Sequence, residues 1–225
     1  MSETATIEPT PRSKVRRRAG RASYDRTVID AILDEGLVAH VGICDGDGQP
    51  FVLPVVYARD GDTLYLHGSA VSRLLGTLGS GARMCLTVTL VDGVVLARSA
   101  FHHSLNYRSV VALGEGRLVV GEDEQRAALL TIVEHVAAGR SSEIRGPHAK
   151  ELKATAVVSL ALREVSAKIR TGPPIDDAAD YQMDVWAGVV PLRLQAGDPI
   201  PDPRCQAEPP RYARSYKRDA LSRVA

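Results

Sequence analysis

The chain is poor in cysteine and contains no C-x-x-C pair. Its 225 residues include three cysteines, Cys44, Cys85 and Cys205, which are widely separated and odd in number. A disulfide framework needs paired cysteines and a structural zinc site needs closely spaced ones, so we expect neither. Cys85 stands in an apolar run, where cysteine usually serves as a small buried hydrophobe and not as a nucleophile.

The sequence also lacks an excess of charge of one sign and any long apolar run. Because 28 Lys and Arg stand against 27 Asp and Glu, no overall field favours nucleic acid or a membrane surface as a partner. No stretch approaches the roughly 18 apolar residues that a membrane-spanning helix needs. The N-terminus has no apolar segment of a secretory signal. We therefore expect a cytoplasmic protein that binds neither membrane nor nucleic acid.

No set of residues typical of side-chain catalysis stands out. Paired carboxylates, a Ser-His-Asp set and a Cys-His dyad are all missing, which favours a protein whose chemistry is carried by a cofactor. The adjacent residues His102 and His103 are the nearest approach to a metal pair. Neighbours on a strand point to opposite faces, so these two histidines cannot chelate one ion, and we predict no site for a chelated metal.

Changes in polarity divide the chain into three parts. Residues 1–21 are polar and include a basic run, which predicts a flexible arm. Residues 22–195 carry the apolar patterns of one folded domain. Residues 196–225 are rich in proline and charge and predict an extended arm over the surface. If the first arm bound nucleic acid instead, its affinity would fall steeply with salt.

The stretch from residue 51 to residue 78 organises the domain. Residues 51–57 are apolar and β-branched, Asp60-Gly61 is a hairpin turn signal, and residues 63–66 form the returning strand. Leu74, Leu75 and Leu78 then follow at helical spacing. The stretch predicts a strand, a tight turn, a second strand and a helix.

The corner between the second strand and the helix predicts an anion site. His67-Gly68-Ser69 breaks the strand pattern, and Ser69 is the predicted N-cap of the helix. Ser72 and Arg73 then fall in the first turn. Backbone N–H groups, hydroxyls and a guanidinium at one corner are suited to a phosphate.

The remaining pattern predicts further strands with helices between them. Asp92-Gly93 is a second hairpin signal between apolar strands. The other predicted elements are a helix at 25–35, strands at 37–44, 82–91, 94–100, 110–120 and 155–169, and a helix at 122–136. Strands joined by tight turns are antiparallel, and regular β-α-β alternation is absent. The sequence therefore favours a closed or split antiparallel barrel with helices on its outside.

Two later segments complete a family resemblance. Residues 106–111 read Asn-Tyr-Arg-Ser-Val-Val and residues 186–192 read Trp-Ala-Gly-Val-Val-Pro-Leu. Together with residues 51–78, they make the chain resemble the pyridoxamine 5′-phosphate oxidase-like, FMN-binding split-barrel superfamily over roughly residues 22–195. Within it, the chain is most similar to the flavin-nucleotide-binding branch that includes nitroimidazole-resistance proteins.

The resemblance implies a mainly β fold, a six-stranded antiparallel split β-barrel with peripheral helices. It also implies a homodimer with two FMN sites at the subunit interface. The function it implies is a flavin-dependent oxidoreductase that passes hydride or electrons between the cofactor and a small organic substrate. The vitamin B6 oxidases of the superfamily carry a C-terminal Arg-x-His pair. Residues 191–194 read Pro-Leu-Arg-Leu here, so we do not expect oxidation of vitamin B6.

The resemblance also indicates which residues surround the cofactor. His67 is the candidate catalytic residue, with a purely structural histidine as the alternative. Arg108 contacts the cofactor or forms an ion pair at the interface, and Trp186 packs the dimer seam. The full set of cofactor-binding candidates is Leu53, Pro54 and Val55 on the first strand, His67, Gly68, Ser69, Ser72 and Arg73 at the corner, and Asn106, Tyr107, Arg108, Ser109 and Trp186.

Two alternatives to an FMN enzyme remain open. The first is a reductase that uses the deazaflavin coenzyme of relatives in this superfamily. Its longer acidic tail would call for additional basic residues near the corner, which Arg83, Arg98 and the N-terminal arginines would supply. The second is a protein that binds flavin or haem without turnover.

Overall fold

The computed structural model describes residues 6–218, whose ten strands form one antiparallel sheet. The strands are β1 (Ala22–Ser23), β2 (Val38–Cys44), β3 (Pro50–Asp60), β4 (Thr63–Ser69), β5 (Arg83–Leu96), β6 (Ser104–Glu115), β7 (Arg117–Leu118), β8 (Thr155–Ala161), β9 (Glu164–Arg170) and β10 (Gly188–Pro191). The α-helices are α1 (Arg26–Glu35), α2 (Arg73–Gly79), α3 (Glu122–Val136), α4 (Ala149–Ala154) and α5 (Arg211–Arg214).

The strand order is β1-β9-β6-β5-β2-β3-β4-β8-β7, and β10 pairs with β5 at the side of this path. The two ends of the path do not pair, so the sheet stays open. The predicted antiparallel split barrel with peripheral helices is confirmed. Seven of the strands are seven residues or longer, where the family resemblance implied six. The run predicted as one strand at 155–169 folds into the hairpin β8–β9.

The main core lies between α1 and the inner face of the sheet. Ile29 and Leu33 of α1 are fully buried there. Asp25 begins the helix, since its carboxylate accepts a hydrogen bond of 2.8 Å from the N–H of Thr27. The hydroxyl of the buried Tyr57 donates 2.5 Å to the carbonyl oxygen of Leu33 and ties α1 to β3.

A second, smaller core lies on the opposite side of β4 and β8, where α3 packs. Ala128 of α3 and Val157 of β8 are buried against each other together with Val119. Tyr65 of β4 packs against this group from the strand side. The odd-numbered residues of β4 therefore face α3, while Leu64 and Leu66 face the main core.

The second predicted hairpin, at Asp92-Gly93, is wrong. β5 runs without a turn from Arg83 to Leu96, and its pairing with β6 shifts register between Val91 and Gly93, which marks a β-bulge. Gly93 is buried because β10 crosses it closely. A Cβ atom at this position would lie 3.0 Å from a methyl group of Val189. Glycine at this position allows the backbone of β10 to approach β5 closely, and it does not form a turn.

The predicted cap of α2 is also wrong. Ser69 is the last residue of β4, and Ser72 is the N-cap, with its hydroxyl accepting a hydrogen bond of 3.5 Å from the N–H of Leu75. Arg73 is the first residue of the helix, as the sequence predicted.

Both terminal segments touch the domain. Ile7 packs against the main core, and Arg12 forms an ion pair with Glu164 of β9. At the other end, the guanidinium of Arg218 donates hydrogen bonds to backbone carbonyls at the end of α1, among them those of Asp34 (2.8 Å) and Gly36 (3.0 Å). The predicted boundaries of the two arms stay predictions, and residues 1–5 and 219–225 lie outside the described part of the chain.

Candidate functional site

The corner between β4 and α2 presents Arg73, whose guanidinium is held against an aromatic ring. The guanidinium carbon of Arg73 lies 4.1 Å from the centre of the Phe51 ring on β3, a distance typical of a cation–π contact. Among residues 6–218, no carboxylate forms an ion pair with Arg73. Its N–H groups are therefore positioned by an aromatic face and remain available to an anion.

Hydroxyl groups and a small residue accompany Arg73 at this corner. Ser69 is exposed, and the N–H of Ser72 donates 2.9 Å to the carbonyl oxygen of Ser69, which closes a tight turn. Gly68 faces α2, because a Cβ atom there would lie 3.2 Å from a methyl group of Leu75. Arginine and serine hydroxyls are the donor types that bind phosphate in proteins.

The strand predicted to carry the flavin ring has an uncovered apolar face in the single chain. Leu53 and Pro54 are exposed, and Val55 is half-buried. Val52 and Val56 flank Pro54 on the same face of β3 and are exposed as well. The apolar groups here provide the type of surface against which a flat ring or a second subunit packs.

His67 lies on the other side of β4 from α2. Side chains alternate along a strand, so His67 points towards α3 while its neighbour Gly68 faces α2. The structure therefore does not bring His67 and Arg73 into one pocket within this chain.

His67 lines a cavity of about 370 Å³ between β4, α3 and the segment that leads to α4. The other lining residues are Leu129, Leu130, Ile132, Val133, Ile144, Arg145, Pro147 and Glu151. The Nδ1 atom of His67 is buried and has no hydrogen-bond partner within the described part of the chain. Burial lowers the pKa of the His67 imidazole, which favours the neutral ring.

An ion pair lies at the rim of this cavity. The guanidinium of Arg145 donates to both carboxylate oxygens of Glu151, at 2.8 and 2.6 Å. The N–H of His148 donates 2.8 Å to the same carboxylate. These hydrogen bonds, that from Arg145 foremost, lower the pKa of Glu151 to about 2.

Two residues of the predicted Asn-Tyr-Arg-Ser group are occupied by partners within the chain. Arg108 donates to Glu35 at 2.6 and 2.8 Å and to Asp92 at 2.7 and 3.0 Å, and these carboxylates, Glu35 first, raise the pKa of Arg108. Asn106 is buried, accepts a hydrogen bond from Arg170 and donates 3.1 Å to the carbonyl of Gly172. The environment of Arg108 matches the ion-pair role weighed for it, although that pair lies within one chain.

The other members of the predicted site lie elsewhere. Tyr107 and Ser109 alternate with Asn106 and Arg108 along β6, so they face the opposite side of the sheet. Ser109 donates 3.2 Å to the carbonyl of Lys168. Trp186 precedes β10 and is 66% exposed. Tyr107, Ser109 and Trp186 are all absent from the lining of the cavity beside His67.

The deazaflavin alternative loses part of its support. It relied on Arg83 and Arg98 as additional cations near the corner. Arg98 is paired at 2.9 Å with the fully buried carboxylate of Asp176, and its guanidinium lies over the ring of Tyr181. Arg98 is therefore not available to an acidic tail.

Sequence reasoning missed the walls of the His67 cavity. The sequence predicted the helix at 122–136 and no cavity beside it, although Leu129, Leu130, Ile132 and Val133 of this helix are all apolar. Four apolar residues within five positions cover more than one face of a helix, and only Ile132 among them is fully buried. That excess of apolar residues was the signal for a second contact surface on α3.

The structure was also compared with the requirements of a metal site and of a membrane-spanning helix. Within the described residues, no group of three or more His, Cys, Asp or Glu side chains is placed to hold a metal ion. Over the same part of the chain, no helix has the length and apolar character needed to cross a membrane.

Comparisons with known proteins agree with this fold. The family model described as pyridoxamine 5′-phosphate oxidase matches residues 25–169. A search of the curated proteins finds no match. Among solved structures, the flavocytochrome Anf3 from Azotobacter vinelandii is 42% identical, with a TM-score of 0.85 over 96% of this chain and 98% of that one.

Two further solved structures are similar. The FAD and haem binding protein from Mycobacterium smegmatis is 37% identical, with a TM-score of 0.80 over 84% of this chain and 93% of that one. A putative 5-nitroimidazole antibiotic resistance protein from Bacteroides thetaiotaomicron is 23% identical, with a TM-score of 0.55 over 66% of this chain and 86% of that one. At that identity, the last match speaks for the fold alone.

Proposed function

The chain belongs to the pyridoxamine 5′-phosphate oxidase family, and we propose that it is a flavin-binding redox protein whose corner between β4 and α2 holds the phosphate of a flavin nucleotide. The observation that carries the proposal is Arg73. Its guanidinium is stacked on Phe51 and has no carboxylate partner among the described residues. The fold therefore fixes the position of the Arg73 guanidinium but provides no counter-ion from the described residues. An anionic ligand would supply that counter-ion.

The donor set at the corner fits a flavin phosphate. Arg73 supplies a guanidinium with several N–H donors, and the hydroxyls of Ser69 and Ser72 supply neutral donors. Gly68 lets Leu75 of α2 pack closely on β4, which brings the start of the helix to this corner. Leu53 is exposed and lies on the same face of β3 as Phe51, so it provides apolar support for a flat ring. When bound, the flavin itself supplies the hydride or electron chemistry, and the residues of the chain bind and orient it.

Two observations bear on which flavin nucleotide binds, and they favour different ones. The family resemblance favours FMN, whereas the relative from Mycobacterium smegmatis is described as binding FAD. Both carry the phosphate that Arg73 would bind, so the corner serves either one. The corner fits a deazaflavin coenzyme less well, because Arg98 forms an ion pair with Asp176 and does not add a cation for the acidic tail.

We further propose that two chains form the functional unit. The face of β3 that carries Val52 and Val56 is apolar and exposed in the single chain, and Val38 on the neighbouring strand continues it. Exposed Trp186 adds a large aromatic surface of the kind enriched in interfaces. A homodimer would cover these residues and enclose the flavin ring.

The test is to release and identify the small molecule carried by the purified protein. A yellow protein should give up FMN or FAD on denaturation, identified by absorbance and mass. Protein purified without ligand should bind added FMN or FAD with a change in flavin fluorescence. A chain that carries no flavin and binds neither nucleotide would contradict the proposal, and a released deazaflavin would replace the cofactor.

A specific observation favours haem as a second cofactor. Two solved relatives at 42% and 37% identity are described as a flavocytochrome and as an FAD and haem binding protein. The cavity beside His67 fits such a group, because it is mostly apolar, contains an unpartnered imidazole nitrogen and has an arginine at its rim. Haem would supply one-electron chemistry there, and His67, Leu129 and Arg145 are among the residues that would hold it.

A further inference from the structure

We propose that His67 is the axial protein ligand of a haem iron held in the cavity between β4, α3 and the segment before α4. This inference rests on the haem-binding part of the proposed function and is independent of the flavin corner. It changes the role of His67 from a residue beside the flavin to the residue that fixes a separate cofactor on the opposite face of β4.

The first step of the argument is the apolar wall. Leu129 and Val133 of α3 and Ile144 of the following segment line the cavity. A cavity of about 370 Å³ lies within the range of cofactor pockets, roughly 300–1,000 Å³. Apolar side chains around a flat macrocycle exclude water and lower the local dielectric constant, one of the levers by which proteins tune haem.

The second step is the state of the His67 ring. Its Nδ1 atom is buried and has no hydrogen-bond partner among residues 6–218, and a buried polar atom left without a partner destabilises the fold. An imidazole nitrogen that makes no hydrogen bond can offer its lone pair to a metal ion. An iron atom at this ring would make use of a group that the fold itself leaves unsatisfied.

The third step is that His67 has no competitor. Of the side chains that bind haem iron in proteins, namely His, Cys, Met and Tyr, the lining of this cavity contains only His67. The one carboxylate of the lining, Glu151, is already hydrogen-bonded to Arg145 and to the backbone N–H of His148. Among the residues that line the cavity, His67 is therefore the one that can bind the iron.

The fourth step is charge at the rim. Haem carries two carboxylates on one edge, and a cavity that admits it needs a cation at its mouth. Arg145 lines the cavity, and its side chain is 60% exposed. Its guanidinium has five N–H donors, of which Glu151 and the carbonyl of Gly146 use a part. The rim can therefore pair with a propionate without breaking its existing contacts.

The experiment uses hemin as the probe and three single variants of the full chain. His67→Ala removes the ligand, His67→Phe removes it while keeping the cavity filled, and His103→Ala is a matched control. His103 is an exposed histidine outside the cavity, with a 2.9 Å contact from Nδ1 to the carbonyl of Ser99. Apoprotein of each variant is titrated with hemin and followed by Soret absorbance and by electron paramagnetic resonance.

The wild type and His103→Ala should take up about one hemin per chain with the spectrum of a histidine-ligated haem. Both His67 variants should lose more than about tenfold in hemin affinity, since even loss of an outer-shell partner costs a metal site 10–100-fold. Added imidazole should restore the histidine-type spectrum in His67→Ala, where space is open, and not in His67→Phe. This pattern would separate ligation from a merely structural effect.

Two results would overturn the inference. One is a wild-type chain that does not bind hemin; the other is His67→Ala with the spectrum and affinity of the wild type. Flavin content is measured on the same samples. If the chain binds flavin normally but does not bind hemin, the haem inference is wrong and the flavin proposal stands. If it binds hemin through His67 but binds no flavin, only the flavin proposal is wrong.

Discussion

The guanidinium of Arg73 lies 4.1 Å from the ring of Phe51, 22 residues earlier in the chain. This contact places a positive charge at the junction of β3, β4 and α2, where no carboxylate of residues 6–218 forms an ion pair with it. It gives the corner a fixed cation and is the structural basis of the proposed phosphate site.

Replacing Arg73 by alanine should weaken binding of the flavin nucleotide by about ten- to a hundredfold, the cost of one charge-assisted hydrogen-bond pair. The measurement is a fluorescence titration with FMN and with FAD. Arg83→Ala is the matched control, because Arg83 is an exposed arginine whose guanidinium lies 3.7 Å from the carboxylate of Glu115. Equal dissociation constants for Arg73→Ala and the wild type would exclude Arg73 from the site.

Replacing Arg108 by alanine should lower the free energy of unfolding by about 1–3 kcal/mol, because it leaves the partly buried carboxylates of Glu35 and Asp92 without their shared partner. Urea unfolding measures the change. In a double-mutant cycle, adding Asp92→Ala should cost less than it does alone. Flavin content per chain should not change; a loss of flavin at unchanged stability would restore the cofactor role for Arg108.

Introducing a charge into the exposed apolar face of β3 should dissociate the proposed dimer. Val52→Glu is expected to raise the dimer dissociation constant by at least about thirtyfold, since an unpaired charge buried at an interface costs 2 kcal/mol or more. Sedimentation velocity over a concentration series gives the constant. Ile200→Glu, at an exposed position in the C-terminal segment, serves as the control.

Trp186→Ala should loosen the same dimer through the loss of aromatic contact area. If the sedimentation profile of Trp186→Ala equals that of the wild type while Val52→Glu dissociates, the tryptophan lies outside the interface. If neither variant changes the profile, this face is not the dimer surface.

The ion pair at the rim of the His67 cavity should give a pH-dependent contribution to stability. The folded-state pKa of Glu151 is lowered to about 2, first by Arg145, so its stabilising contribution is present above the ordinary glutamate pKa and is lost as the pH falls towards 2. The difference in unfolding free energy between the wild type and Glu151→Gln should therefore be constant above about pH 5 and shrink below it.

Urea unfolding at a series of pH values measures this difference. Glu208→Gln is the control, because Glu208 is exposed and forms no ion pair within the described part of the chain. A difference between the wild type and Glu151→Gln that grows on acidification would contradict the assigned direction of the pKa shift.

Local patterns were sufficient to predict much of the fold. The hairpin at Asp60-Gly61 and the helix predicted at 25–35 depend on residues within a few positions of one another, and the structure contains both. In the hairpin, Gly61 has a φ of +52°, a backbone conformation that favours glycine. Such features are decided before the chain folds back on itself.

The candidate site depended on partners that are distant in the sequence. Arg108 meets Glu35, 73 residues away, and Arg98 meets Asp176, 78 residues away. No local pattern shows that these cations have found carboxylates. The resemblance therefore suggested Arg108 as a cofactor-binding residue. In the folded chain its guanidinium donates hydrogen bonds to Glu35 and Asp92.

The sequence by itself determined that this is an antiparallel barrel with helices on its outside and a cationic corner after β4, because alternation, turn signals and capping act over short stretches. Only the tertiary structure decided that Asp92-Gly93 lies inside a continuous strand, where β10 crosses Gly93. It also decided that His67 and Arg73, six positions apart, serve different faces of the molecule. The reason is that α2 packs on one side of β4 and α3 on the other, and which helix covers which face depends on contacts across the whole chain.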